Sequence, residues 1–275
     1  MKRLPLHIQP VPLDLAWGDP QENLRRVEAA VLRGLRAAPS VSSESRIFLF
    51  PELTLTAFVT RDPLSFCLRP MDAELKALCS IARRHRTALV AGFPERNPNS
   101  PRRPFNTVVL VDPSGKVAAS YRKTHLFTLG AQPETASYSA GEGGLVCDYR
   151  GWRIAFAVCF DIRFPRLFHS YARAGADLIL VPACWVGGPH KSYQFKTVNS
   201  AHAVLTQAYV AAVNRSGRDP AYAYDGSAYV FSPFGEDILK GGPCALDPEE
   251  LERCRSLKVR PSDRRDYPVR VLRSA

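Results

Sequence analysis

Apolar residues recur along this chain in two rhythms, a spacing of three and four that marks helices and short unbroken runs that mark buried strands. Leu4 to Gln9 reads as a first strand, and Asp19-Pro20-Gln21-Glu22 then supplies an N-cap, a proline at the first helical position and an acid at the third. Leu24, Val27, Val31 and Leu35 place one apolar stripe on the helix that follows, which should end near Pro39. Arg46 to Phe50 has no polar interruption within Ile47-Phe48-Leu49-Phe50, as suits a strand buried on both faces, and Pro51 stops it.

The alternation continues with a helix over about Met71 to Arg84, its inward side at Leu75, Leu78 and Ala82, and with strands at Thr87 to Gly92, Asn106 to Val111 and Lys116 to Arg122. Asp112-Pro113-Ser114-Gly115 is a turn that joins the last two as a hairpin. Beyond a loop come a strand at Trp152 to Val158, a helix at Phe164 to Ala174, a buried strand at Asp177 to Val181, a helix at Ser192 to Gln207 and a strand at Ala208 to Val213. Gly226 to Ser232 and Gly235 to Lys240 are expected to form a closing hairpin around Pro233. Strands and helices that alternate with hairpins make the class α/β with a mixed sheet. With no linker, repeat or low-complexity run, residues 1–275 read as one domain with a basic tail from about residue 253.

Composition narrows the picture in three ways. The Met1-Lys2-Arg3 start is followed by Pro5, Pro10 and Pro12 instead of a continuous apolar core, so no signal peptide is expected. The longest apolar run, Ile154 to Phe160, is far short of the roughly 20 residues that span a bilayer. Seven cysteines without a C-x-x-C pair favour free thiols in a reducing compartment, so a soluble cytoplasmic protein with no membrane partner is expected. The formal charge of +11 is spread along the chain, with Arg25, Arg26, Arg33 and Arg36 on the polar side of the first helix. No RNA-binding or zinc pattern accompanies it, and no nucleic-acid partner is expected.

Three residues at strand ends carry candidate chemistry. Cys159 follows Ile154-Ala155-Phe156-Ala157-Val158 at a strand-to-helix turn, where a thiol is presented at a sheet edge. A thiol becomes a useful nucleophile when a base or a positive field activates it. Glu52, just past a buried strand, is a carboxylate that needs a partner or a cleft, and Lys123 ends a strand among apolar and aromatic residues.

In order and in local context these residues resemble the nitrilase, or carbon-nitrogen hydrolase, superfamily. Phe50 to Phe58 (FPELTLTAF) resembles its Glu motif, Tyr121 to Phe127 (YRKTHLF) its Lys motif and Val158 to Pro165 (VCFDIRFP) its Cys motif. The omega-amidase branch is the most similar in appearance, through Leu15-Ala16-Trp17-Gly18-Asp19, Arg163-Phe164-Pro165, and Gln207-Ala208-Tyr209-Val210 with Asn214-Arg215. The likeness runs from about residue 6 to 240. It implies a four-layer α-β-β-α sandwich, homodimers formed through helices near the Cys motif, and no metal or organic cofactor. It also implies hydrolysis of a small linear amide, with Glu52 as base, Cys159 as nucleophile, and Lys123 with the Phe160 backbone N–H as oxyanion donors. Glu134 sits where many members carry a second glutamate, with Glu142 as the nearby alternative. Trp185 and Arg163 are the expected substrate contacts, His190-Lys191 further candidates for a substrate carboxylate, and His125 and Asp161 supports that orient a motif or pair with Arg163. Cys184 and Cys147 read as structural.

The family's usual Arg-Ala-x-Glu-Asn-Gln run is here His202-Ala203-Val204-Leu205-Thr206-Gln207, and Arg166 stands where an acid is common. These departures bear on substrate placement. They leave room for a carbamoyl-amine amidohydrolase, a nitrilase, or a catalytically weak regulatory member.

Overall fold

A computed structural model describes residues 3–58, 72–129 and 133–257. Strands β1 (His7–Pro10), β2 (Arg46–Leu49), β3 (Ala88–Glu95), β4 (Phe105–Val111), β5 (Val117–Arg122) and the late β13 (Cys244–Ala245) form a six-stranded sheet in the order β13-β1-β2-β3-β4-β5. A second sheet of five strands runs β12 (Ala228–Phe231), β9 (Tyr209–Asn214), β8 (Leu178–Ala183), β7 (Trp152–Phe156), β6 (Val146–Tyr149). Parallel pairing joins β1, β2 and β3 in one sheet and β7, β8 and β9 in the other. A small ribbon pairs β10 (Ser216–Arg218) with β11 (Ala223–Asp225).

The unbroken apolar strands have two destinations. Ile47, Leu49, Val90, Val108 and Leu110 pack with Ile154, Phe156, Leu178 and Val210 of the other sheet. Their neighbours Phe48, Phe50, Leu89, Ala91, Val109 and Val111 face the opposite way, onto Leu24, Val27 and Val31 of α1 (Pro20–Ala37) and Leu78 and Ala82 of α2 (Asp72–His85). Helices α3 (Pro165–Arg173) and α4 (Lys191–Thr206) add Phe168, Tyr171, Phe195 and Ala203 to the first of these cores. The result is the four-layer α-β-β-α sandwich, and side-chain alternation with period two explains why strands apolar throughout are needed between two cores.

Local signals behave as their chemistry requires. Asp19 Oδ1 accepts from Glu22 N at 2.9 Å, whereas the Glu22 carboxylate turns to Arg25 and Arg26 instead of reaching back to the cap. At the other end of α1, buried Arg46 donates to the carbonyls of Gly34 and Ala38, which the helix leaves open, and of Val41 in the turn beyond, at 2.5–2.8 Å.

Three sequence expectations are corrected. The closing hairpin lacks its second strand: after Ser232-Pro233-Phe234-Gly235 the chain meets β12 only through a bridge of Phe231 with Asp237, and Gly241, at φ +73°, turns it away. The loop before β7 contains β6, which pairs with β7 across Arg150 and Gly151, at φ +54° and +84°, a tight turn of left-handed residues. Asp247-Pro248-Glu249 opens a further helix, α5 (Pro248–Ser256), with Asp247 capping Glu249 N at 2.8 Å, the same signal that announces α1. The start of the predicted helix at Met71 and most of the basic tail lie outside the described residues. Among the described residues, no helix is long and apolar enough to cross a membrane.

Candidate active site

Each candidate residue is fixed by a bend at the end of a strand. Past β2, Leu53 takes φ +47° and the Thr54 hydroxyl donates to the Pro51 carbonyl at 2.5 Å, turning Glu52 inward. The bend lies against Gly92 of β3, where a Cβ would come within 2.8 Å of Leu53 N, so only glycine admits this approach. Lys123 leaves β5 with its backbone N donating to Asn106 O on β4 at 2.8 Å. Cys159 follows β7 and opens a 3₁₀ turn, Cys159–Arg163, at φ +47°, a conformation that costs a non-glycine residue energy. Asp161 holds that turn: it accepts from Val158 N, Tyr121 Oη, His125 N and the His125 ring at 2.8–2.9 Å.

Three charged side chains, wholly buried, meet behind Cys159. Lys123 Nζ donates to Glu52 Oε1 and to Glu134 Oε2, each at 2.7 Å. Asn106 Nδ2 joins the same two carboxylates, at 2.8 Å to Oε1 of each. Cys184 N donates to Glu52 Oε2 at 2.8 Å, and Phe127 N to Glu134 Oε2 at 2.9 Å. Glu134 therefore belongs to this cluster, while Glu142 is exposed.

One cation and two carboxylates leave a buried net negative charge, and the local acidities reflect it. Burial acts to lower the Lys123 pKa, but Glu134 and Glu52 outweigh it and hold the ammonium well above its ordinary range. Burial, with the charge of Glu52, raises Glu134 against the pull of Lys123 and Asn106. Burial and then Glu52 push the Cys159 thiol well above its usual value, with Lys123 opposing. That direction favours the neutral thiol over the thiolate at Cys159.

Cys159 and Lys123 line a cavity of about 460 Å³ whose walls include Phe58, Phe127, Phe160 and Trp185. Trp185 is fixed by Nε1 on Lys191 O at 2.9 Å and by its backbone N on Asn214 Oδ1 at 2.7 Å. Arg163 lies over the indole at 4.9 Å and donates to Gln194 at 2.6 Å, and Lys191 Nζ stands 5.8 Å from the same ring. Arg163, Lys191 and Gln194 all line the cavity, whereas His190 does not. Of the two supporting roles expected, the contacts of Asp161 fit the orienting one, and Tyr121 and His125 take the carboxylate that would otherwise meet Arg163.

The unusual stretch on α4 has a local purpose. His202 stacks on Phe168 with ring centroids 3.5 Å apart, and its Nε2 meets the Ile162 carbonyl of the Cys159 turn at 2.8 Å. His202→Phe keeps the stack and leaves that carbonyl unpaired, which should cost about 1–3 kcal/mol near pH 8. Burial lowers the His202 pKa from 6.5, so its contribution is complete above the ordinary histidine range and drains as pH falls through it. Urea unfolding near pH 8 and near pH 5.5 should therefore show the variant less stable at the first and the gap narrowed at the second; equal gaps would remove this role.

Asn106 and Cys184 were not legible as site residues. Asn106 begins an ordinary-looking strand, and Cys184, read as structural, contributes a backbone N–H and a cavity-lining thiol.

The carbon-nitrogen hydrolase family model matches residues 8–247. An omega-amidase of Yersinia enterocolitica is 32% identical, covering 90% of this chain and 90% of its own. A 2-oxoglutaramate amidase of Bacillus subtilis is 27% identical with 83% of each chain covered. A mutant of the Nesterenkonia sp. AN1 amidase, showing covalent addition of the acetamide moiety of fluoroacetamide at the active site cysteine, superposes with a TM-score of 0.74 at 27% identity, covering 92% of this chain and 95% of that one. The match over most of the chain, on a sandwich whose bends gather Glu52, Lys123 and Cys159, makes the protein a member of the carbon-nitrogen hydrolase family, hydrolases of carbon-nitrogen bonds other than peptide bonds.

Proposed function

We propose that the protein hydrolyses a small linear amide bearing a free carboxylate, in the manner of an omega-amidase, through a thioester on Cys159. The observation that carries this reading is Lys123 bound to two buried carboxylates beside a cavity-lining thiol. Glu52 takes the thiol proton as sulfur attacks the amide carbonyl. Two of the three Lys123 N–H donors are committed to Glu52 and Glu134, which leaves one, together with the Phe160 backbone N–H, for the tetrahedral oxyanion. The proton on Glu52 goes to the leaving nitrogen and ammonia departs. Water, deprotonated by the same carboxylate, then releases the acid and restores the thiol. The cysteine of the Nesterenkonia amidase mutant carries the acetamide moiety of fluoroacetamide covalently, which supports a nucleophilic cysteine as the first step of this route.

The substrate end of the reading rests on Arg163 and Lys191. Neither meets a carboxylate within ion-pair distance among the described residues, although both line the cavity. An alpha-keto acid amide such as alpha-ketoglutaramate fits such a site, and the names of the Bacillus and Yersinia relatives point the same way. Arg163→Met should raise KM for a carboxylate-bearing amide about tenfold or more, with little change for a neutral amide of equal length. Equal losses on both substrates in steady-state kinetics would overturn the assignment of Arg163.

A further inference from the structure

We propose that Asn106 is a positioning residue that keeps a proton off the Oε1 atoms of the two buried carboxylates and so decides which oxygen of Glu52 receives one. The inference rests on Glu52 being the base. A carboxylate oxygen has two lone pairs. Glu52 Oε1 fills both, accepting from Lys123 Nζ at 2.7 Å and Asn106 Nδ2 at 2.8 Å. Glu52 Oε2 accepts from Cys184 N at 2.8 Å and keeps one lone pair. Glu134 Oε2 is filled by Lys123 Nζ at 2.7 Å and Phe127 N at 2.9 Å, and its Oε1 accepts from Asn106 Nδ2 at 2.8 Å. Both N–H bonds of Asn106 are thus spent on the Oε1 atoms of two carboxylates anchored to the same lysine.

Without the amide, Glu52 Oε1 would have one open lone pair and Glu134 Oε1 two, in a buried site of net negative charge. Two carboxylates beside a single cation in such a site raise each other's affinity for a proton, and an Oε1 stripped of its donor is where that proton would bind. Glu52 would then be occupied before the thiol could give up its proton. The groups that face Glu52 are Lys123, Glu134, Cys159 and Cys184, with Arg215 and Asp219 behind Cys184. Among the described residues, Asn106 is the one neutral side chain that donates to both acids.

The test follows the rate of Cys159 alkylation by iodoacetamide against pH, with the label located by peptide mass mapping, beside kcat and KM for amide hydrolysis. In the alkylation the S–C bond forms, iodide leaves and the thiol proton passes to Glu52, so the readout needs no substrate. In Asn106→Leu the acid limb of both profiles should move up by about one pH unit or more, and kcat near neutrality should fall about tenfold to a hundredfold with KM within about twofold. A folded Asn106→Leu whose acid limb stays in place, or whose KM rises while kcat holds, overturns the proposal. Asn106→Asp, of the same shape but lacking the amide donor, covers a folding failure of the leucine variant: its acid limb must also move up, and wild-type behaviour overturns the proposal. Glu52→Gln separates the two levels. If it leaves alkylation unchanged, the base assignment falls and this inference with it; if it slows alkylation while Asn106→Leu does not, Asn106 alone is wrong.

Discussion

Cys159→Ala should abolish amide hydrolysis, with kcat reduced on the order of 10⁴-fold or more, in a protein that remains folded. The loss follows from the chemistry proposed for the site: the cluster of Glu52, Lys123 and Glu134 supplies a base and an oxyanion donor, and neither forms a bond to carbon. Removing one sulfur at a cavity wall leaves the strand ends, the Asp161 anchor and the buried charge cluster in place. The measurement is ammonia release from a panel of amides, nitriles and carbamoyl compounds, run on both proteins, with intact mass during slow turnover. Wild-type protein should carry an acyl adduct that the variant lacks. Activity surviving in Cys159→Ala would sink the thioester route, and wild-type preference for nitriles or carbamoyl compounds would keep the route and replace the substrate.

How much of this could be read before the fold was seen differs by residue. Ile47-Phe48-Leu49-Phe50 was legible as a doubly buried strand because period-two alternation sends Ile47 and Leu49 to one core and Phe48 and Phe50 to another. The segment after Pro233 was misread because its apolar residues Ile238 and Leu239 pack against the sheet as a loop, with Ile238 N bonded to Val230 O at 2.8 Å. Glu52, Lys123 and Cys159 stood out through whole motifs, each individually ordinary. Glu134 stayed open against Glu142 because no local pattern distinguishes an acid that folds back onto a lysine from one on the surface. The contribution of Cys184 is a main-chain N–H, which side-chain reasoning does not see, and Asn106 shares its strand with Val108, Val109 and Leu110, whose apolar pattern says core.

The same charge cluster makes Lys123→Met the variant that should lose both stability and activity. The substitution removes the ammonium and leaves Glu52 and Glu134 side chains, each fully buried, with no cation between them. Breaking a buried pair in this way costs about 3–5 kcal/mol, since the remaining charges cannot return to water. Loss of an oxyanion donor adds a fall in kcat on the order of 10²–10³-fold. The pH dependence gives the signature. Burial already raises Glu134 and Lys123 is the stronger of the two groups that oppose it, so without the lysine the folded-state pKa rises further above the unfolded value. The folded variant then binds protons that the unfolded chain releases, and its stability drops as pH rises through that interval. Denaturant unfolding near pH 5 and near pH 8 should find Lys123→Met closer to wild type in acid and furthest from it in base. Adding Glu134→Gln to Lys123→Met removes one of the two stranded charges, so it should restore part of the stability at the higher pH while hydrolysis stays lost. A single variant within about 1 kcal/mol of wild type at both pH values would mean the cluster is not held by this lysine, because exposed pairs contribute no more than that.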